Sequence, residues 1–313
     1  MLFEGENTVI LPDNWGELLL PGLRTIFSKH LKGRRNYIRE LFNVETSNKA
    51  QEFSLGTGSL GEMDPWDGQV SYEDFNRGFK ATYTHRKWSK GLVINREMLD
   101  DDLYNEIRKH TRNLADSVSY TRQRHGVSVF NNGFSDAFPG PDGKALFSTA
   151  HPYSPSNAAT WANLTNRALD SNALEYIRTQ MMTNWKDDKG KDIIIDPDEL
   201  VLLVPTILRK PALVIAGSPK EPDVSDNNIN VWKGEIQVME WPMLSSGGGT
   251  VETAPWFVLE RRRLKKFLNW FDRRKPGFDS EVNFDTEAAK YKTVGRWSYG
   301  WDDPTIGYAS NPQ

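Results

Sequence analysis

The chain has 313 residues, room for one large or two ordinary domains. Its 39 basic and 42 acidic residues leave a net charge of −3, whereas a dedicated nucleic-acid binder is strongly basic. The absence of cysteine excludes a disulfide scaffold, a thiolate nucleophile, cysteine zinc sites and iron–sulfur clusters, and no apolar run approaches the ~18 residues of a membrane span.

Residues 1–6 show no basic n-region and no apolar h-region, so no signal peptide is expected. Residues 1–32 read as an arm with one amphipathic helix. Leu23, Ile26, Phe27 and Leu31 form its stripe, and Pro21 suits its first turn. So short a helix must dock on the body or on a neighbouring subunit. Residues 51–94 are punctuated by Gly56, Gly58, Gly61, Pro65, Gly68, Gly78 and Gly91, while residues 79–84 alternate with the period of a half-buried strand. The expectation is a long, twisted hairpin with a glycine-rich distal part. A lone hairpin is marginal in water, so it needs another surface.

Residues 95–132 carry the strongest helical pattern, with Leu99, Leu103, Ile107, Leu114 and Val118 on one face. Asn95 suits the N-cap, and Asp100, Asp101 and Asp102 fall in the early turns that the macrodipole favours. About 35 helical residues would span roughly 50 Å, a spine rather than a core helix. A second helix is expected over residues 171–185, with Leu174, Ile177, Met181 and Trp185 in register. The run Leu200-Val201-Leu202-Leu203-Val204 reads as a fully buried strand ended by Pro205. A short helix over 207–216, a flexible loop at 245–249, and strands at 234–239, 256–259, 281–284 and 291–299 complete an α+β pattern.

Gly56, Gly58 and Gly61 match G-x-G-x-x-G, but Pro65 and Gly68 break the helix a dinucleotide site requires, so the glycines read as loop bends. Residues 139–152 (PGPDGKALFSTAHP) hold Asp142, Ser148 and His151, the residue types of an acyl-transfer triad. The bland reading of that loop is an Asp-Gly turn, local Ser and Thr hydrogen bonds and a His held extended by Pro152. No G-x-S-x-G elbow is present. His30, His85, His110, His125 and His151 form no zinc pattern, and His110 reads as a packed core histidine. The acidic runs at 100–102 and 187–188 lack EF-hand spacing. No catalytic, cofactor or metal residues are therefore assigned. Two basic stretches, residues 24–39 and 261–275, read as solvated faces and interchain ion pairs. The alternative is contact with DNA backbone through Arg34, Arg35, Arg261, Arg262, Lys265 and Lys266.

Several segments together carry a resemblance. The "DGK-LFS--HP" string of residues 142–152, the run Val93-Ile94-Asn95-Arg96-Glu97-Met98-Leu99-Asp100-Asp101-Asp102, the DDKG turn at 187–190 and the run from Ile195 through Pro205 resemble tailed-phage major capsid proteins, the Mu-like major head subunits above all. The resemblance covers residues 24–308. It implies the Hong Kong 97-type fold, with an arm (1–50), an E-loop hairpin (51–94), a P domain with the spine helix (95–203), an A domain (204–256) and a return to the P domain (257–313). It also implies a non-enzymatic major head protein that self-assembles as pentamers and hexamers into an icosahedral shell around packaged DNA. Such a subunit sits in the virion capsid and is assembled in the bacterial cytoplasm. Its partners would be a separate scaffolding protein, a portal and an optional decoration protein, with non-specific DNA contact and no membrane. Some relatives crosslink Lys to Asn, and neither partner is matched here. Phe53, Trp66, Tyr72 and Phe79 are the expected intersubunit anchors, because aromatic side chains often carry such contacts. The alternatives are an encapsulin-like compartment shell and a hydrolase centred on Asp142, Ser148 and His151.

Overall fold

The computed structural model describes residues 15–33, 35–60, 62–66, 68–70, 72–101, 103–222, 228–247, 249–283 and 288–312. Expectations at Arg34, Gly61, Asp102 and Phe284 lie outside them. In chain order the elements are helices α1 (Trp15–Lys32) and α2 (Tyr37–Leu41), then strands β1 (Asn43–Thr46), β2 (Gln51–Thr57), β3 (Arg77–Thr84) and β4 (Arg86–Ile94). Helices α3 (Arg96–Asp100) and α4 (Tyr104–Asn131) precede β5 (His151–Ser154), β6 (Asn157–Trp161), β7 (Leu164–Thr165) and α5 (Ser171–Thr183). The chain continues through β8 (Leu200–Val204), α6 (Arg209–Gly217), β9 (Gln237–Glu240), β10 (Trp256–Glu260) and α7 (Arg261–Phe267). It closes with the long strands β11 (Leu268–Asn283) and β12 (Ala288–Trp301), then β13 (Gly307–Ser310). The fold class is α+β, as the irregular pattern of elements implied. Among the described residues no helix is long and apolar enough to cross a membrane.

The chain divides into two compact units. The first gathers the described parts of Met1–Asn36 with His85–Gln123 and Asp272–Trp297. There β4 pairs antiparallel with β12, from Ile94 opposite Ala289 to Arg86 opposite Trp297. The buried face of α1, Leu23 and Phe27, joins Ile94, Ile107, Leu114, Val118, Phe278 and Tyr291 in one core. The Phe27 and Phe278 rings lie 5.2 Å apart, and Arg24 donates to the Phe278 carbonyl at 3.1 Å. The arm helix thus docks on its own chain. Pro21 falls inside the helix rather than in its first turn, because α1 begins at Trp15. Arg122 grips Asp272 with two bonds of 2.7 and 3.1 Å, both side chains largely buried.

The expected single spine helix is two. Leu103 N–H reaches back to the Met98 carbonyl at 2.9 Å, closing α3, and Glu106 N–H then donates to Leu103 to start α4. The break leaves Asp100 as the last residue of α3, 3.7 Å from Arg96 one turn back, and puts Asp101 in the turn before α4, where negative charge is still favoured. In the 28-residue α4, Ile107, Leu114 and Val118 of the predicted face are buried, whereas Leu103, expected on that face, precedes the helix and is exposed. His110 is exposed, against the expectation of a core histidine, because it falls on the flank of that face, beside the buried Ile107, Thr111 and Leu114.

The second unit comprises Tyr37–Thr84, Arg124–Phe271 and Ser298–Gln313. Its centre is a five-stranded sheet of order β7-β13-β10-β8-β9. Strand β8 runs antiparallel to β10, with Leu202 opposite Val258, and parallel to β9. All residues of β8 and β10 are buried, so the sheet is covered on both faces. On one face, Leu200, Leu202, Val204, Trp256 and Val258 pack with Leu174, Ile177 and Met181 of α5 and Ala212 and Ile215 of α6. On the other, Phe257 meets Phe130, Phe134 and Phe147 at ring distances of 5.2–5.6 Å. Helix α5 ends at Thr183, two residues short of Trp185, which is buried beyond it. The projecting hairpin is β2 with β3, from Gln51 opposite Thr84 to Thr57 opposite Arg77. Residues 86–94, included in the expected hairpin span, pair with β12 instead.

Candidate functional site

The loop of residues 139–152 is built around its apolar knot: Ala145, Leu146 and Phe147 are all buried. The loop closes on itself where Gly140 N–H donates to the Lys144 carbonyl at 2.6 Å and Lys144 N–H donates to Asp142 Oδ1 at 3.1 Å. Asp142 Oδ2 lies 2.6 Å from His151 Nδ1. His151 Nε2 lies 3.1 Å from Asn163 Oδ1, which also accepts from Ser148 N–H at 2.8 Å. The Asn163 amide nitrogen donates to the carbonyls of Leu146, Pro304 and Gly307. Those three acceptors fix the amide, so its oxygen is what faces the imidazole, and both ring nitrogens point at acceptors. The His151 side chain has 0% exposure.

This geometry settles the chemistry of the loop. The structure brings Asp142 and His151 together but does not extend the chain to Ser148, whose hydroxyl accepts from Ala150 N–H at 3.3 Å. A general base needs a free ring nitrogen facing its nucleophile, and here both nitrogens are committed inside a closed core. The cluster is a rivet joining four segments. Asn163, its central member, carries no sequence signal: a single Asn after Trp161-Ala162 belongs to no pattern.

The hairpin is the opposite kind of surface. Trp66 is 74% exposed and Tyr72 92%, while Phe53 is also exposed with Lys80 Nζ 4.4 Å above its ring. Phe79 is half-buried. Met63, at 98% exposure, with Val70 and Phe75, extends the apolar set beyond the residues expected from aromaticity alone. Apolar side chains concentrated on one thin projection mark an interaction surface.

The basic residues divide. Arg35 is exposed. Arg262 pairs with Asp196 at 3.0 Å and Glu199 at 3.7 Å. Lys265 donates to the carbonyls of Arg39 and Phe42, and burial pulls its pKa down against the pull of Glu40. Arg261 is half-buried, and Lys266 is exposed with its ammonium 4.9 Å from the Phe267 ring. The stretch from Arg261 is a helix running into a strand, which its charge run concealed.

A docked arm, a projecting hairpin, a long α4 helix and a both-faces-buried sheet define a shell-forming capsid subunit with the Hong Kong 97-type fold. The family model described as "Phage capsid protein" matches residues 80–310, and the chain belongs to that family. Among solved structures, the chain is similar to the procapsid of bacteriophage JBD30 (16% identity, 95% of this chain and 76% of that one, TM-score 0.51). It is similar to the mature capsid of bacteriophage PhiM1 (10% identity, 90% and 88%, TM-score 0.53). It also resembles the capsid of cyanophage P-SCSP1u (9% identity, 88% and 88%, TM-score 0.54). No curated protein sequence matches. The likeness at these identities is one of fold, and the family supplies the role: a structural protein of a virion shell.

Proposed function

We propose that this capsid protein is the major head subunit of a tailed phage, closing as pentamers and hexamers into an icosahedral shell around packaged DNA. The observation that carries this is the hairpin, whose Met63, Trp66 and Tyr72 stay in water on the subunit's own surface. Such residues gain burial only against another copy, and repeated small contacts in a closed array add up. Phe53, Trp66 and Tyr72 seat on the neighbour in this reading, and half-buried Phe79 braces the hairpin from within. Arg34, Arg35, Arg261, Arg262, Lys265 and Lys266 are the candidates for non-specific contact with DNA backbone in this reading. Of these, Arg262 and Lys265 also hold partners within the subunit. A separate scaffolding protein, a portal, an optional decoration protein and assembly in the bacterial cytoplasm complete the proposal.

Size-exclusion chromatography with negative-stain microscopy of the purified full chain tests it. Rings, tubes or shells are expected, and a monomer that persists at high concentration would overturn it. Mass spectrometry of the particles separates a DNA-filled head from a compartment enclosing enzymes.

A further inference from the structure

The turn after α5 grips the hairpin. Asp187 organises that turn: its Oδ1 accepts from Lys189 N–H and Lys191 N–H at 2.9 and 2.8 Å. The next residue, Asp188, is left to face the hairpin. Its Oδ1 accepts from Ser59 N–H at 2.9 Å and from the Ser59 hydroxyl at 3.0 Å, and its Oδ2 accepts from Asn76 Nδ2 at 2.9 Å. Ser59 and Asn76 lie on opposite limbs, just past the last paired residues, where Gly58 N–H donates to the Asn76 carbonyl at 2.7 Å. One carboxylate therefore clamps both limbs. Lys189 pairs with Glu73, and Lys191 Nζ donates to the Leu60 carbonyl at 2.9 Å. Gly58 makes this approach possible: a Cβ there would fall 2.4 Å from Asp188 Oδ2 and 2.8 Å from Asn76 Cβ.

We propose that Asp188, with Lys189 and Lys191, is a catch that holds the distal hairpin, residues 58–76, on its own subunit and is exchanged for contacts with a neighbouring copy during assembly. The catch is entirely polar. It holds the hairpin at its neck while Met63, Trp66 and Tyr72 stay exposed. Such a grip fixes position without satisfying the apolar tip, so a partner that covers the tip outcompetes it. This accounts for two motifs that the shell role alone leaves unused, the Gly56-Thr57-Gly58 bend and the DDKG turn.

The exchange rests on the assembly reading above; the catch itself does not. The experiment therefore has two arms, both on the full chain. In free subunits, Asp188→Ala should speed amide hydrogen exchange at Ser59 and Gly58 about tenfold. It should also raise chymotryptic cleavage at Trp66, Tyr72 and Phe75 by a similar factor, with exchange in β8 and β10 unchanged. Unchanged hairpin exchange and cleavage would overturn the catch. In assembled particles the same substitution should leave exchange at residues 58–76 as in the parent. An equal tenfold rise there would show a permanent brace and overturn the exchange. If Asp188→Ala forms no particles where the parent does, the exchange is overturned, because a contact given up on assembly is not needed in the shell. Ser59→Ala with Asn76→Ala removes the same bonds from the hairpin side, should Asp188→Ala fail to fold.

Discussion

At the residue scale, the Asp142–His151–Asn163 rivet is worth more than any exposed contact, because an unpaired buried polar group costs its full desolvation. Asn163→Ala strips partners from His151 Nε2, Ser148 N–H and three carbonyls. We expect a loss of ~3 kcal/mol in denaturant unfolding of the free subunit, whereas Ser148→Ala should stay within ~1 kcal/mol. Equal losses would contradict the geometry. Asp188 supplies a pH dependence. Burial raises its pKa, but the bonds from Ser59 N–H, Asn76 and the Ser59 hydroxyl outweigh that, and the net shift is downward from 3.8. A lowered carboxylate pKa stabilises the gripped form above its ordinary value, and that contribution is lost as pH falls through the lowered one. Hairpin exchange should therefore rise below pH 3.8 in the parent. Glu73 pairs with Lys189 on the same turn, so Asp188→Asn is the control: it should start high and change less. Asp142 and His151 were legible as chemistry-bearing residues, but a triad and a structural rivet share those residue types. Only the direction of the second ring nitrogen separates them, and that depends on an asparagine twelve positions away.

At the element scale, periodicity found most of the fold because burial enforces it. Strand β8 falls at the expected residues since five consecutive apolar side chains have only a two-faced core to enter. Helix α1 shows how far a stripe can speak. Leu23 and Phe27 specified a buried face, but whether it met its own chain was beyond the pattern. Phe27→Ala should cost about 3–5 kcal/mol in the free subunit, as removal of a core aromatic does. If stability were unchanged until assembly, the arm would be docked elsewhere. The division of the spine into α3 and α4 was hidden because the apolar register of the sequence continues from Leu99 through Leu103 to Ile107. The hairpin's true partners were hidden for a related reason: β3 and β4 follow one another with only His85 between them, yet hydrogen-bond into different sheets. Alternation reports a half-buried strand and is silent about its neighbour.

At the scale of the whole molecule, the proposed assembly residues are distinct from those that build the core. Trp66→Ser with Tyr72→Ser removes exposed groups, so the melting temperature of free subunits should hold within about 2 °C. Particle yield by microscopy should fall at least tenfold. A matching fall in melting temperature would mean the tip already packs at home. The order of motifs along the chain made the family legible, because capsid segments follow one another in fixed sequence. The surface they build was less so: Met63, the most exposed large apolar side chain named here, has no aromatic ring to draw attention.

Strand β13 lies between β7 and β10, although it is formed by residues 307–310. A ribosome must deliver that strand before the central sheet can close, so prematurely terminated polypeptides retain an open slot where Tyr308 and Ala309 belong. Stalled nascent chains should gain protease resistance over residues 200–260 only after residue 310 has left the exit tunnel.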